Sequence, residues 1–370
     1  MKIVIISQNC FPYISPRANR ATELAKELSK QGHDVNLYAL LGDLDYEKYC
    51  NDYSINFKKL GDSKYGLYNN ANKRNNNIIY KIITKFGGKY LEFPKIELKR
   101  FTYNILKKEN DIDLLITIAH PHTIHWGAAK YVKKNKGKIK NWIADCGDPY
   151  MLNPFVKYPS YFKYVEKKWC QLCDYITVPI DEAKDAYYPE FRDKIKVIPQ
   201  GFCFEENRLP DYTPNKVPTF AFSGIFYKDL RDPIKFLDYL CTLKTDFKFI
   251  IYTNCTEHTL EVFSLNKYKA ILNDNLVIHS FVPRSELLKE LAKMDFLINI
   301  KNNSGVQQPS KLIDYAITNR PILEITSEFS EITIFKEFLN KDYHNARKIE
   351  NIEQYDIRNV VNSFLALTNF

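Results

Sequence analysis

The sequence predicts an α/β protein made of two doubly wound parallel sheets, and three observations carry that reading. Short apolar runs alternate with amphipathic helical stretches at the spacing of βαβ units. The alternation breaks at 205–217, a run of linker composition, and starts afresh at Thr219. A chain of 370 residues also exceeds what one ordinary core holds. The expected division is a first domain at 1–204, a linker at 205–217, a second domain at 218–350, and a terminal helix at 351–370 able to pack back on the first domain.

In the first half, Lys2–Ser7 reads as a strand, followed by a loop to Arg17 and a helix whose buried face is Ala21, Leu24, Ala25 and Leu28. Gly32 ends that helix, and Asp34–Ala39 is the next strand. No G-x-G-x-x-G follows the first strand, which argues against a dinucleotide oxidoreductase. Residues 43–72 are polar and tyrosine-rich and read as loop. Ile78, Ile79, Ile82, Ile83 and Phe86, then Phe101, Ile105 and Leu106, suggest amphipathic helices. Further strands are expected at Asp113–Ile118, Lys140–Asp145, Tyr175–Val178 and Lys196–Gly201, with a helix near 160–172. In the second half they are expected at Thr219–Ser223, Phe247–Tyr252, Leu276–Phe281, Phe296–Ile300 and Ile322–Ile325.

Composition narrows the function classes. Hydrophobic content of 45% and charged content of 26% are those of a soluble globular protein. No apolar run approaches the roughly 18 residues of a membrane span. Ile3–Ile6 gives way at once to polar Ser7, Gln8 and Asn9, unlike a signal peptide, so the expected address is the cytoplasm. The eight cysteines are scattered, as reduced thiols are. Cys170 and Cys173 form a C-x-x-C without a second ligand pair at zinc spacing and read as core thiols. The D-x-D runs at Asp43 and Asp111 read as a loop and a strand entry.

The net charge of +9 is uneven: residues 1–200 carry 33 basic and 22 acidic side chains, residues 201–370 carry 20 and 22. Within the basic half, 73–108 holds ten Lys/Arg against Glu92 and Glu97. Such a stretch can attract an anionic membrane surface. Nucleic acid is set aside because no recognition motif accompanies the charge.

Candidate site residues lie past strand ends, where open α/β sheets hold ligands. His120, His122 and His125 follow the strand at 113–118, and their spacing suits substrate contact better than zinc, with Pro121 imposing an extended turn. Asp145 and Asp148 follow the strand at 140–145. In the second half, Pro309 suits a first helical position, Leu312, Ile313, Ala316 and Ile317 form an apolar stripe, and Asn319 with Pro321 stops the helix. Lys311, Asp314, Tyr315 and Thr318 occupy the opposite face. A lysine in a first turn opposes the macrodipole unless an anion sits beside it, so Lys311 points to an anion site.

These motifs together resemble the GT-B glycosyltransferases, in particular the retaining type classed as family four. Phe11-Pro12 with Arg20 through Gly32-His33-Asp34-Val35 is similar to that family's opening loop and first helix. Val197-Ile-Pro-Gln-Gly201 resembles the end of its first domain, and Ser223-Gly224 with Arg231 the entry to its donor domain. Pro309-Ser-Lys-Leu-Ile-Asp-Tyr315 followed by Arg320-Pro321 resembles its donor motif. Val306 stands where that motif has its first acidic residue, and Ile225 where an arginine often follows the glycine.

The resemblance implies two Rossmann-like domains with parallel sheets facing across a cleft. It implies a sugar transferred from a nucleotide-sugar donor to a glycan or lipid-linked acceptor, in cell-surface polysaccharide biosynthesis, with retention and without metal or cofactor. Gly224, Arg231, Ser310, Lys311 and Asp314 would bind the donor, with Arg231 and Lys311 on the diphosphate and Asp314 near the ribose. His120, His122 or His125 would contact the transferred sugar, and Asp145 or Asp148 would orient the acceptor hydroxyl. A peripheral place on the inner face of the cell membrane would follow from the basic half. The alternatives left open are a GT-B nucleotide-sugar epimerase or hydrolase, and a non-catalytic relative that binds nucleotide-sugar or membrane.

Overall fold

A computed structural model describes residues 1–13, 15–65, 67, 86–153, 156–204, 209–228, 230–301 and 311–368. The chain forms two compact units, Met1–Phe202 with Gln354–Phe370, and Cys203–Glu353.

The first unit is a seven-stranded sheet, all of whose pairs are parallel. Its strands are β1 (Lys2–Ile6), β2 (Asp34–Ala39), β3 (Asn56–Lys59), β4 (Ile112–Ala119), β5 (Ile139–Cys146), β6 (Tyr175–Val178) and β7 (Ile195–Val197), in the order β3-β2-β1-β4-β5-β6-β7. Strands covered on both faces must be apolar throughout, and Ile3, Val4, Ile5 and Ile6 are fully enclosed. The order reverses between β1 and β4, which opens a crevice at the carboxyl ends of those strands. The helices are α1 (Pro16–Lys30), α2 (Glu47–Tyr53), α3 (Glu97–Leu106), α4 (Thr123–Lys134) and α5 (Phe162–Leu172). Ser15 caps α1 by accepting the Ala18 N–H, and Pro16 takes its first position.

Residues 43–72 differ from the expected loop, since they contain α2 and the edge strand β3. A short strand half open to solvent needs no apolar run, so its sequence carries no strand signal. The amphipathic reading of 73–108 is met for α3, but Leu98, Phe101 and Leu106 are buried in the core of this unit. That helix therefore has no apolar face left for a bilayer. Ile78, Ile79, Ile82 and Ile83 lie outside the described residues.

The second unit is a five-stranded parallel sheet of β8 (Thr219–Ser223), β9 (Lys248–Thr253), β10 (Leu276–Ser280), β11 (Phe296–Ile300) and β12 (Ile322–Ile325), in the order β10-β9-β8-β11-β12. Here the switch falls between β8 and β11. Helices α6 (Ile234–Leu240), α7 (Glu257–Val262), α8 (Leu265–Leu272), α9 (Arg284–Ala292), α10 (Lys311–Ile317) and α11 (Ile332–Leu339) flank it. Its core is aromatic: Phe220 stacks on Phe296 with centroids 4.7 Å apart and meets Phe335 edge-on at 5.6 Å. Tyr212 and Asn215, within the expected linker, are fastened to this unit, since Asp295 accepts the Tyr212 hydroxyl at 2.6 Å and the Asn215 N–H at 3.2 Å.

The last helix, α12 (Ile357–Leu365), returns to the first unit. Phe202 and Ile357 bond to the chain across this join, through Phe202 N–H to Tyr355 O at 2.8 Å and Ile357 N–H to Phe202 O at 2.9 Å. Arg20 of α1 lies 4.9 Å from the Phe364 ring centroid. A side chain at Gly201 would collide with Ile357. No helix among the described residues is long and apolar enough to cross a membrane.

Candidate functional site

In the second unit, the site grows from the end of β8. Gly224 follows Ser223 with φ +143°, a conformation side chains rarely tolerate. Helix α10 holds that turn through Tyr315, whose hydroxyl accepts the Ser223 N–H at 2.7 Å and donates to the Ser223 carbonyl at 3.3 Å. A Cβ added at Gly224 would lie 3.6 Å from Lys311 Cδ and 3.8 Å from Arg231 Nη1. Two cations thus converge on a glycine turn at the switch point of the sheet.

Lys311 is buried, with Nζ 4.3 Å from the Phe222 ring centroid and no hydrogen-bond partner among the described residues. Burial and the neighbouring Arg231 push its ammonium well below the ordinary lysine range, against a smaller upward pull from Glu324. Arg231 donates to the Ile225 carbonyl at 3.2 Å. An anion beside Lys311 would supply the acceptor that its Nζ does not find among the described residues.

The helix differs from the expected two-faced pattern. Lys311, Tyr315 and Thr318 are buried, whereas Ala316 and Ile317 are only half-buried. Polar groups entered the core because each long side chain reaches β8 or its own helix end: Thr318 donates to the Tyr315 carbonyl at 2.6 Å. Asp314 is half-buried, and its Oδ1 lies 2.7 and 2.8 Å from two nitrogens of Arg284 at the start of α9. Burial raises the Asp314 carboxyl, and Arg284 only partly offsets it. Arg284 had no signal in the sequence, because its partner lies 30 residues away. Ser310 and Val306 are outside the described residues.

In the first unit, the fold separates the expected residues. His120, at the carboxyl edge of β4, is half-buried and lies 2.7 Å from Lys95 Nζ. Burial and Lys95 lower it to about 4, so it is neutral and accepts from Lys95. His122 and His125 are 2% and 0% exposed. They point into the core beside Trp169, with no surface for a sugar, and the sugar-contact expectation passes to His120 alone. Periodicity could not reveal this, since α4 begins at Thr123 and is buried on almost every side.

Asp145 is likewise enclosed. Its Oδ1 accepts from Arg20 Nη2 at 2.9 Å and Thr177 Oγ1 at 2.7 Å, and Oδ2 from Arg20 Nε at 3.2 Å and Arg17 Nη1 at 3.4 Å. Burial alone would raise this carboxyl, but the two guanidinium groups hold it below the usual range. It fixes α1 to the end of β5 and has no oxygen left for an acceptor hydroxyl. Asp148 is exposed, and its carbonyl receives the His122 Nε2–H at 3.1 Å. Arg17, which also donates to Gln200 at 3.2 Å and lies against Gly147, is a cation at this sheet edge that the sequence reading passed over.

No protein-family model and no curated protein matches the chain. Solved structures do. A glycosyltransferase of Rickettsia africae superposes with a TM-score of 0.67 at 14% identity, over 99% of this chain and 98% of that one. HepE of Anabaena, crystallised with UDP, gives 0.64 at 10% identity over 99% of both chains. The lipopolysaccharide outer core galactosyltransferase WaaB gives 0.59 at 13% over 99% of both. The fold is GT-B. In this fold, the Gly224 turn stands at the carboxyl end of the first strand of the second sheet, beside its switch point.

Proposed function

We propose that the protein is a glycosyltransferase that moves a sugar from a nucleotide-sugar donor to a glycan or lipid-linked acceptor in cell-surface polysaccharide biosynthesis. The observation that carries this reading is Lys311, a buried amine without a hydrogen-bond partner among the described residues, set beside Arg231 on the Gly224 turn. A diphosphate supplies two anionic groups of the right size for such a pair. As the sugar–phosphate bond breaks, negative charge builds on the leaving oxygen, and cations already in place stabilise that change without reorganising. This charge compensation removes the need for a metal in the reading.

Asp314 would meet the ribose through Oδ2, which no hydrogen bond among the described residues reaches, while Arg284 holds Oδ1. Neutral His120, with Nε2 taken by Lys95, would donate its Nδ1–H to a sugar hydroxyl, and exposed Asp148 would orient an acceptor. Retention would follow from attack on the same face as the departing diphosphate, with no carboxylate pair of glycosidase type. HepE is known in complexes with UDP and with UDP-glucose, which supports a uridine nucleotide first among the candidates.

The peripheral-membrane part of the proposal rests on Phe86, Tyr90 and Leu91, which are exposed beside Lys89 in the basic stretch. Sedimentation with anionic and neutral vesicles at low and high salt tests it; binding indifferent to lipid charge removes it.

The function itself is tested by titrating UDP- and GDP-sugars into the full chain and following transfer to candidate acceptors. Saturable binding of at least one nucleotide-sugar and acceptor-dependent release of nucleotide are expected. Failure of every nucleotide-sugar to bind would remove the reading. Donor conversion that needs no acceptor would replace it with an epimerase or hydrolase, and binding without any conversion with a non-catalytic relative, for which Val306 in place of an acid leaves room.

A further inference from the structure

The first unit contains a second constellation that the transfer reaction does not use. One ring nitrogen each of His122 and His125 and the sulfur of Cys146 lie within 4.8 Å of one another, all in buried residues. His122 and His125 come from the turn into α4 and its first residues, and Cys146 is the last residue of β5. Elements far apart in sequence therefore deliver three soft donors to one point.

The neighbours fix the proton of His122 and allow His125 the tautomer a metal needs. Trp142 Nε1 can only donate, and it gives its proton to Thr117 Oγ1 at 2.8 Å. The same oxygen lies 2.8 Å from His125 Nδ1, in a bond that either tautomer of the ring satisfies. The other ring nitrogen, Nε2, faces Cys146 Sγ at 3.4 Å, and with an ion bound it would supply the lone pair while Nδ1–H donated to Thr117. His122 Nε2–H is used by the Asp148 carbonyl, so its lone pair is on Nδ1, which is buried and has no partner among the described residues. Each imidazole has an oxygen able to accept at its outer nitrogen and turns its inner nitrogen toward the other two donors. Metal-ligating histidines are held in this way.

We infer that His122 Nδ1, His125 Nε2 and Cys146 Sγ form a binding site for a single thiophilic metal ion. Entry of the ion displaces the Cys146 thiol proton to solvent, and the thiolate with two neutral imidazoles completes three bonds. Cu(I) satisfies both the coordination number and the charge, because a thiolate neutralises it in a dry site. Zn(II) would need a fourth ligand and leaves one positive charge. Either ion would tie the β4–α4 turn, which carries His120, to the 147–150 turn through the Asp148 carbonyl. The role is one of holding two loops of the sheet edge, apart from any contact with substrate.

The test uses the full chain, purified without a metal-affinity step, and no nucleotide or turnover measurement. Zinc and copper are quantified by mass spectrometry, and chelator-stripped protein is titrated anaerobically with Co(II), Zn(II) and Cu(I). The expected result is about one ion per chain. The cobalt form should show a thiolate-to-metal charge-transfer band that disappears in Cys146→Ser and persists in Cys170→Ser, a buried thiol outside the trio. Stoichiometric Cu(I) without Zn(II) uptake supports the three-coordinate form of the site. If wild-type protein takes up none of the three ions stoichiometrically, or if the cobalt band survives Cys146→Ser, the site is overturned. The wild-type titration decides the matter even should a variant fail to fold.

Discussion

Replacing Lys311 by Met separates what this residue does for the fold from what it does for the ligand. The side chain is buried over the Phe222 ring, and its Nζ lacks a hydrogen-bond partner among the described residues. A buried polar group left unsatisfied costs about 1–3 kcal/mol, more if charged. Methionine keeps most of the volume and the contact with the ring, so K311M should be the more stable protein by about that amount. For a unit of this size, each kcal/mol corresponds to about 2–4 °C in melting temperature. The pH dependence has a definite sign. Since the folded state depresses the Lys311 ammonium, the wild-type penalty is absent above the ordinary lysine range near ~10.4 and grows as pH falls below it. The advantage of K311M should therefore be largest at neutral pH and shrink toward pH ~10. Nucleotide binding should move the other way: loss of a charge-assisted contact worth about 1.5–3 kcal/mol weakens UDP by roughly 10- to 150-fold. Thermal melts at two pH values and calorimetric titration with UDP measure both. A variant less stable than wild type at neutral pH that binds UDP unchanged would refute the orphan-cation argument.

Three further outcomes follow from the same geometry. Asp145→Asn leaves Arg20 without its buried counter-charge and should cost about 3–5 kcal/mol in urea unfolding, a loss far above that of a surface carboxylate. Tyr315→Phe removes the hydroxyl that satisfies both backbone groups of Ser223, and should cost about 1–3 kcal/mol while weakening UDP through the loosened Gly224 turn. Binding of UDP at about pH 8 should take up protons, because a diphosphate raises the depressed Lys311 ammonium. Calorimetry in buffers of different ionisation enthalpy would show this, and UDP affinity should fall as pH rises through that window.

Much of the architecture was legible because parallel strands buried on both faces must be apolar along their whole length. Ile3–Ile6, Leu114–Ile118 and Phe296–Ile300 announce themselves in this way. Edge strand β3 did not, since solvent on one side lifts that requirement. Lys311 stood out because a cation in a first helical turn is locally unfavourable.

The sequence by itself determined the alternation of strand and helix, the restart at Thr219, and the placing of candidate groups after strand ends. All of these are local consequences of chain geometry and hydrophobic period. Only the tertiary structure decided which groups are available and to whom. It buried Lys311 over Phe222 beside Arg231, paired Asp314 with Arg284, enclosed Asp145 between Arg17 and Arg20, and turned His122 and His125 toward Cys146. Such pairings join residues about 20 to more than 120 positions apart, and their energies depend on burial and distance. Neither quantity exists until the sheet has brought the strand ends together.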